Sequence, residues 1–296
     1  DGSSLSNYAF DRATGSVTVD GAGSTFTLAG NDTSHIASAG LMIIGRNAGG
    51  EGALTISDGG AMTLSETNSL IAVANEVNST GAITISGAGS DLTAGLITVS
   101  VDNDFNFNNP GASVANGGIG RIDVRDGGTL TAERLTIGDR GAADLTGAIT
   151  TTIDLHGNLA FAGVADGELT LTGDLSIETL GGLSITISDF SAGMGDQLTV
   201  NGNAAFGDLL DDVELSVSTD SNIAVGDQFI FATATGDLTA VTRVITDTAT
   251  GLTFTLSAED EGLVLTANQA QIGPDGLFNG DDQNNLLDGG DGDDTM

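Results

Sequence analysis

The sequence contains no cysteine, no tryptophan and no lysine. Without cysteine there is no disulfide framework and no thiolate metal site, although this absence says nothing about the redox compartment. Two histidines, His35 and His156, stand far apart with no HxH or HExxH spacing, which argues against a zinc centre. Only 4% of residues are aromatic, with a single tyrosine, Tyr8, so no aromatic row exists on which sugars could stack. Proline is rare, at two residues. No apolar run approaches the length of a membrane-crossing helix. No Ser nucleophile elbow is present, and the two GAGS segments lack the lysine and the following helix of a phosphate loop. No signal peptide opens the chain at Asp1. That leaves three alternatives: prior cleavage, a secretion signal elsewhere, or a fragment.

Positive charge is also scarce. Seven basic residues, all arginine, face 41 acids, for a formal net charge of −34. Such a chain repels nucleic acid and anionic lipid and attracts cations. Solubility in a salty habitat accounts for the same composition. Most of the acids are aspartate, which suits turns, and hard carboxylate oxygens suit calcium.

What is abundant is glycine, at 45 residues, with 39% hydrophobic content. With many Thr, Ser and Val, this predicts short strands joined by tight turns. "SVTV", "ALTI", "AITI" and "RIDV" alternate apolar and polar residues, the period of a half-buried strand. The strands recur in blocks. "GSVTVDGAGSTFT" (15–27) returns as "GAITISGAGSDLT" (81–93), and "GALTISDGGAMT" (52–63) as "GRIDVRDGGTLT" (120–131). Two kinds of coil alternate, one marked by GAGS and one by DGG. A coil that cannot bury its own face does so against its neighbours, so the predicted fold is all-β, a parallel and right-handed β-helix. The stretch 101–118 departs from the repeat and is expected to form a surface loop that leaves one coil's register open.

These blocks, over residues 15–145, resemble the repeat shared by type V secretion passengers and PEP-CTERM-tagged exported proteins of bacteria. From residue 167 onward, "GDQLTVNGNAAFGDLL", "GDQFIFATATGDLTAV" and a final strand pair resemble the closing part of autotransporter-like passengers. That resemblance implies a β-rich cap that ends the open edge, with Phe206, Phe229, Phe231 and Phe254 packed inward. The expected divisions are a lead-in (1–14), a solenoid (15–166), the end region (167–268), a linker (269–278) and a glycine–aspartate tail (279–296).

The tail consists of two nine-residue units, "NGDDQNNLL" and "DGGDGDDTM". The second fits G-G-x-G-x-D-x-U, with glycines at Gly289, Gly290 and Gly292, the acid at Asp294 and the apolar residue at Met296. The first is degenerate, with Gly280, Asn284, Asn285 and Leu287 in register. The units resemble the RTX nonapeptide, whose repeats build a calcium-binding β-roll. The resemblance implies Ca²⁺ held by backbone carbonyls at the glycines and by Asp294 and Asp293, with Asp291, Asp282 and the asparagines as further oxygen donors. It implies stacking of each unit on the next but one, so two units make half-built sites. It also implies type I secretion and an extracellular or cell-surface location. The partners it implies are calcium, further copies, or other surface components of protein or polysaccharide. It implies neither nucleic-acid binding nor membrane insertion.

A rival reading comes from the arginines. Arg121, Asp123 and Arg125 alternate on one strand, with Arg134, Asp139 and Arg140 close behind. This is the best candidate for a carbohydrate-active β-helix enzyme, a lyase or epimerase acting on acidic polysaccharide. Asp211 and Asp212 are adjacent, so on a strand they face opposite ways and make a poor acid/base pair. The structural reading, with no enzymatic activity, is preferred: a surface ladder of ion pairs.

Overall fold

The computed structural model describes residues 14–29, 40–46, 48–66, 69–101, 117–161, 166–177, 182–190, 192–207, 213–218, 223–247 and 250–269. Among them there is no helix; the ordered elements are all strands. The calcium candidates at 279–296, the linker from residue 270, His35, Asp211 and Asp212 lie outside the described residues.

The chain winds through eight coils. The first carries β1 (Thr14–Asp20), β2 (Thr25–Leu28) and β3 (Leu41–Ile44). The second carries β4 (Glu51–Ser57), β5 (Ala61–Leu64) and β6 (Leu70–Val73). In the next three coils the second and third strands merge into one bent strand. These coils are β7 (Thr80–Ser86) with β8 (Asp91–Val99), β9 (Ile119–Arg125) with β10 (Thr129–Ile137), and β11 (Gly141–Leu145) with β12 (Gly147–Leu155). The sixth coil carries β13 (Asn158–Ala160), β14 (Glu168–Thr172) and β15 (Leu175–Ile177). The seventh carries β16 (Gly182–Ile187), β17 (Gln197–Asn201) and β18 (Ala204–Phe206). The eighth carries β19 (Val213–Val217), β20 (Gln228–Ala234) and β21 (Leu238–Ala240). Three further strands follow, β22 (Arg243–Thr246), β23 (Thr253–Glu259) and β24 (Gly262–Ala267).

Each strand pairs with its counterpart one coil on. One sheet runs β1-β4-β7-β9-β11-β13-β16-β19, and a 16-stranded sheet holds the other two faces. Pairing is parallel throughout the eight coils and passes without a break from β12 to β14 and β14 to β17. It turns antiparallel where β24 joins β20 and where β22, β23 and β24 pair with one another. This is a β-solenoid closed by a short antiparallel sheet. Although residues 102–116 intervene, β7 and β9 pair in step from Thr80–Ile119 to Ser86–Arg125.

Alternation explains the core. Val17, Leu54, Ile83, Ile122, Ala143 and Leu159 stack in register on the first sheet. On the second face Met62, Leu92, Leu130, Ile149, Leu171 and Val200 do the same. On the third, Ile44, Val73, Val99, Ile137, Leu155, Ile177 and Phe206 form another ladder. Nearly all are fully buried, and each such side chain contributes about 1.5–3 kcal/mol relative to exposure. Phe206, Phe229, Phe231 and Phe254 are all buried, as their inward phase predicts.

The corners explain the motifs. GAGS and DGG occupy the same corner in alternate coils, between the first face and the second. In the DGG turn Asp58 and Gly59 both take positive φ, at 49° and 85°. Gly60 donates its N–H to Ser57 O at 2.9 Å. That is the geometry of a type I′ turn, which favours Asp-Gly at its centre. In the GAGS turn the serine closes the corner. Ser90 Oγ donates to Ser86 O at 2.7 Å and accepts the Gly59 N–H of the coil before at 3.1 Å. At a second corner Gly15, Gly52, Gly81, Gly120 and Gly141 stand in register. There the third face returns to the first and backbones approach closely.

One outward column on the second face is uniform. Thr27, Thr63, Thr93, Thr131, Thr150 and Thr172 follow one another coil by coil, and Asn201 continues the row.

Candidate functional site

The arginine cluster sits on the first sheet. Alternation on β9 places Arg121, Asp123 and Arg125 on the outer side while Ile122 and Val124 enter the core. On β11, Asp144 lies directly across from Asp123. Two like charges opposite one another on neighbouring strands destabilise a sheet. Arg121 relieves this: Nε donates to Asp123, and Nη2 donates to Asp144 at 2.6 Å. The hydrogen bond to Asp123, with the charges of Asp123 and Asp144, outweighs partial burial and holds the guanidinium above its ordinary pKa.

The other arginines are dispersed. Arg125 lies 3.8 Å from Asp126. Arg134 is on the larger sheet, where Nη1 donates to Asp154 at 2.9 Å. Arg140 Nη1 donates to Gly117 O at 3.4 Å. Arg121, Asp123 and Asp144 are thus brought together, whereas Arg134 and Arg140 point to separate partners. Arg121 and Arg134 pair with carboxylates and Arg140 with a backbone carbonyl, while Arg125 lies within charge range of Asp126. Exposed pairs of this kind contribute about 0–1 kcal/mol each. Among the described residues no group of three or more His, Asp and Glu is arranged to hold a metal ion.

Two polar arrangements escaped the sequence reading. At the corner between the second and third faces, Asp174 Oδ1 accepts the Asn203 N–H at 2.7 Å, and Asn203 Oδ1 accepts the Asp237 N–H at 3.0 Å. The signal was present in the recurring "TGDL", "NGNA" and "TGDL". Each side chain satisfies a backbone donor one coil away, about 30 residues on in sequence.

The second arrangement is Asp196, which is 3% exposed. Its Oδ1 accepts the Gly167 N–H at 2.9 Å and its Oδ2 accepts the Thr186 N–H at 2.7 Å. It therefore ties three segments of consecutive coils together. Burial pushes its carboxyl up to about 6, with the Asp166 charge adding to the rise and the Thr186 and Gly167 donors opposing it. The folded chain then holds this proton more tightly than the unfolded chain. The site's contribution to stability is complete below about pH 4 and is lost as pH rises through the folded value. The stability advantage of wild type over Asp196→Asn is expected to shrink from about pH 4 and to level off by about pH 7. Thermal melts of both proteins across that range check it, and parallel profiles would refute it.

The sequence matches no protein-family model and no curated protein.

Proposed function

We propose that this is an exported bacterial protein of the cell surface or extracellular matrix, with a structural or adhesive role. The observation that carries the reading is the stack: eight coils in continuous parallel register, ended by an antiparallel cap. Such a body is a stiff spacer whose faces are set by repetition rather than by a cleft. The occupied arginines favour this reading over a polysaccharide enzyme. In the proposal the coil is right-handed and the glycine–aspartate tail opens an RTX β-roll that folds on Ca²⁺ outside the cell. Gly289, Gly290 and Gly292 shape the turn, while Asp291, Asp293 and Asp294 supply carboxylates. Gly280, Asp282, Asn284 and Asn285 form the unit before it. Clustered carboxylates on a glycine-rich segment cannot order without a counter-ion, so metal binding becomes folding free energy.

At free calcium tenfold above Kd, each complete site adds about 1.4 kcal/mol. Calcium titration followed by circular dichroism and calorimetry checks this in a chain lengthened past Met296 by further nonapeptide units. The expected result is a gain in β-signal and melting temperature that Asp294→Asn reduces. No gain in either would remove the calcium proposal. Turnover of an acidic polysaccharide by the wild type, abolished by Arg121→Ala, would replace the structural role with the enzymatic one.

A further inference from the structure

One strip of the outer surface is rich in threonine and poor in charge. The threonine ladder from Thr27 to Thr172 occupies the outer side of the second face, with one threonine per coil and no interruption. Beside it runs a second outward column, two residues back along each strand. Thr25, Thr129, Thr170, Thr199 and Thr233 stand in it. Among the described residues of the two columns, the one charged side chain is Asp91. Its carboxylate is tied down by its neighbours: Thr129 Oγ1 donates to Oδ1 at 2.8 Å and Thr93 Oγ1 to Oδ2 at 3.0 Å. On a molecule with a formal net charge of −34, this is a strip of hydroxyl and methyl groups with one carboxylate, Asp91, and with Ala61 and Ala148 in the second column.

Parallel pairing fixes its dimensions. Neighbouring rungs lie about 4.7–4.9 Å apart, and residues i and i+2 about 6.5–7 Å apart along a strand. Threonine is restricted at χ1, and the same residue stands at the same backbone position on each rung; the hydroxyls of Thr93 and Thr129 already donate to Asp91. Each hydroxyl is both donor and acceptor. The six rungs form a row of hydrogen-bonding sites about 24 Å long.

A row of this kind matches a solid whose own surface is a neutral, periodic array of donors and acceptors. Two solids fit that description, ice and crystalline polysaccharide. Polysaccharide surfaces are gripped by stacked aromatic rings, and no aromatic stands outward in these two columns among the described residues. Oxygen rows in hexagonal ice repeat at a spacing close to the rung separation. We propose that the threonine face of the solenoid binds ice. The hydroxyls take lattice positions for water oxygens, and the methyl groups between them hold the intervening water in ordered cages. This activity stands independently of the structural or adhesive reading and of calcium.

The test uses the full 296-residue chain, fluorescently labelled, and measures its partition into a slowly growing polycrystalline ice shell. Thermal hysteresis is read in parallel. Wild type is expected to enter the ice. The double variant Thr93→Lys/Thr131→Lys is expected to be rejected with the solutes. The control Thr55→Lys/Thr84→Lys adds the same charge to the first sheet and is expected to partition like wild type. If the ladder lysines prevent folding, Thr93→Val/Thr131→Val removes the hydroxyls at constant shape and should lower partition with the melting temperature retained. Rejection of wild type by ice overturns the proposal, as does equal partition of the folded ladder variants. Retention of wild type by crystalline cellulose in place of ice overturns it too, as does ladder-dependent self-association in its place.

Discussion

Gly81→Ala should destabilise the solenoid by about 3 kcal/mol, at the upper end of overpacking costs. A Cβ at Gly81 would sit 2.5 Å from Ile44 O, 2.8 Å from Ala74 N and 2.8 Å from Val73 Cγ1. Two of those atoms are backbone, from the corner of two different coils. The second coil cannot move without shearing its neighbours, because it is hydrogen-bonded to the coils on both sides, and the first is bonded to the second. For a domain of this size the change lowers the melting temperature by roughly 6–12 °C. Gly15→Ala supplies the internal control. Gly15 occupies the same ladder two coils away, in the end coil, and nothing lies within 4 Å of its added Cβ. That substitution should fall within about 0.5 kcal/mol of wild type. Equal effects at the two positions would show that the corner, and not strand propensity alone, had been misjudged.

Phe190→Ala should cost about 3–5 kcal/mol and release the cap. The Phe190 ring is 2% exposed. It lies 6.0 Å from the ring of Phe229 and stacks on Phe254 at 5.4 Å. Phe229 belongs to β20 in the last coil, and Phe254 to β23 in the antiparallel cap. One side chain thus joins solenoid to cap. Hydrogen exchange should show amides of β22, β23 and β24 losing protection before those of β7 and β9. Phe26→Ala, in a side chain 40% exposed on the first coil, should cost about 1 kcal/mol or less. Uniform loss of protection in Phe190→Ala would argue that solenoid and cap unfold as one unit.

The elements that periodicity marks are the ones read correctly from sequence. "SVTV", "ALTI", "AITI" and "RIDV" announce β1, β4, β7 and β9, because alternation needs no knowledge of partners. GAGS and DGG announce corners, because positive φ leaves its mark on composition. Past residue 145 the blocks fade, since a coil needs only inward apolar residues and a corner, and many sequences supply both. The Asp174–Asn203–Asp237 row left a trace in "TGDL" and "NGNA", but neither its role nor that of Asp196 follows from sequence, for a different reason. Their partners are backbone amides, all but that of Thr186 in another coil, and an amide carries no residue identity. Four rungs of the threonine ladder, Thr27, Thr63, Thr93 and Thr131, close the four repeated blocks, whereas Thr150 and Thr172 lie where the blocks have faded. Only register aligns them. The pairing of Arg121 with Asp144 is of the same kind, whereas the pairing with Asp123 could be read from the strand alone.

The alignment of β9 on β7 across residues 102–116 has a consequence for how such a molecule changes length. The strands before and after those residues keep one register, rung on rung, so the rung is the unit of measure. A protein built this way behaves as a ruler. Gaining or losing a whole turn alters its reach by one fixed step, while every face keeps its character along the full span.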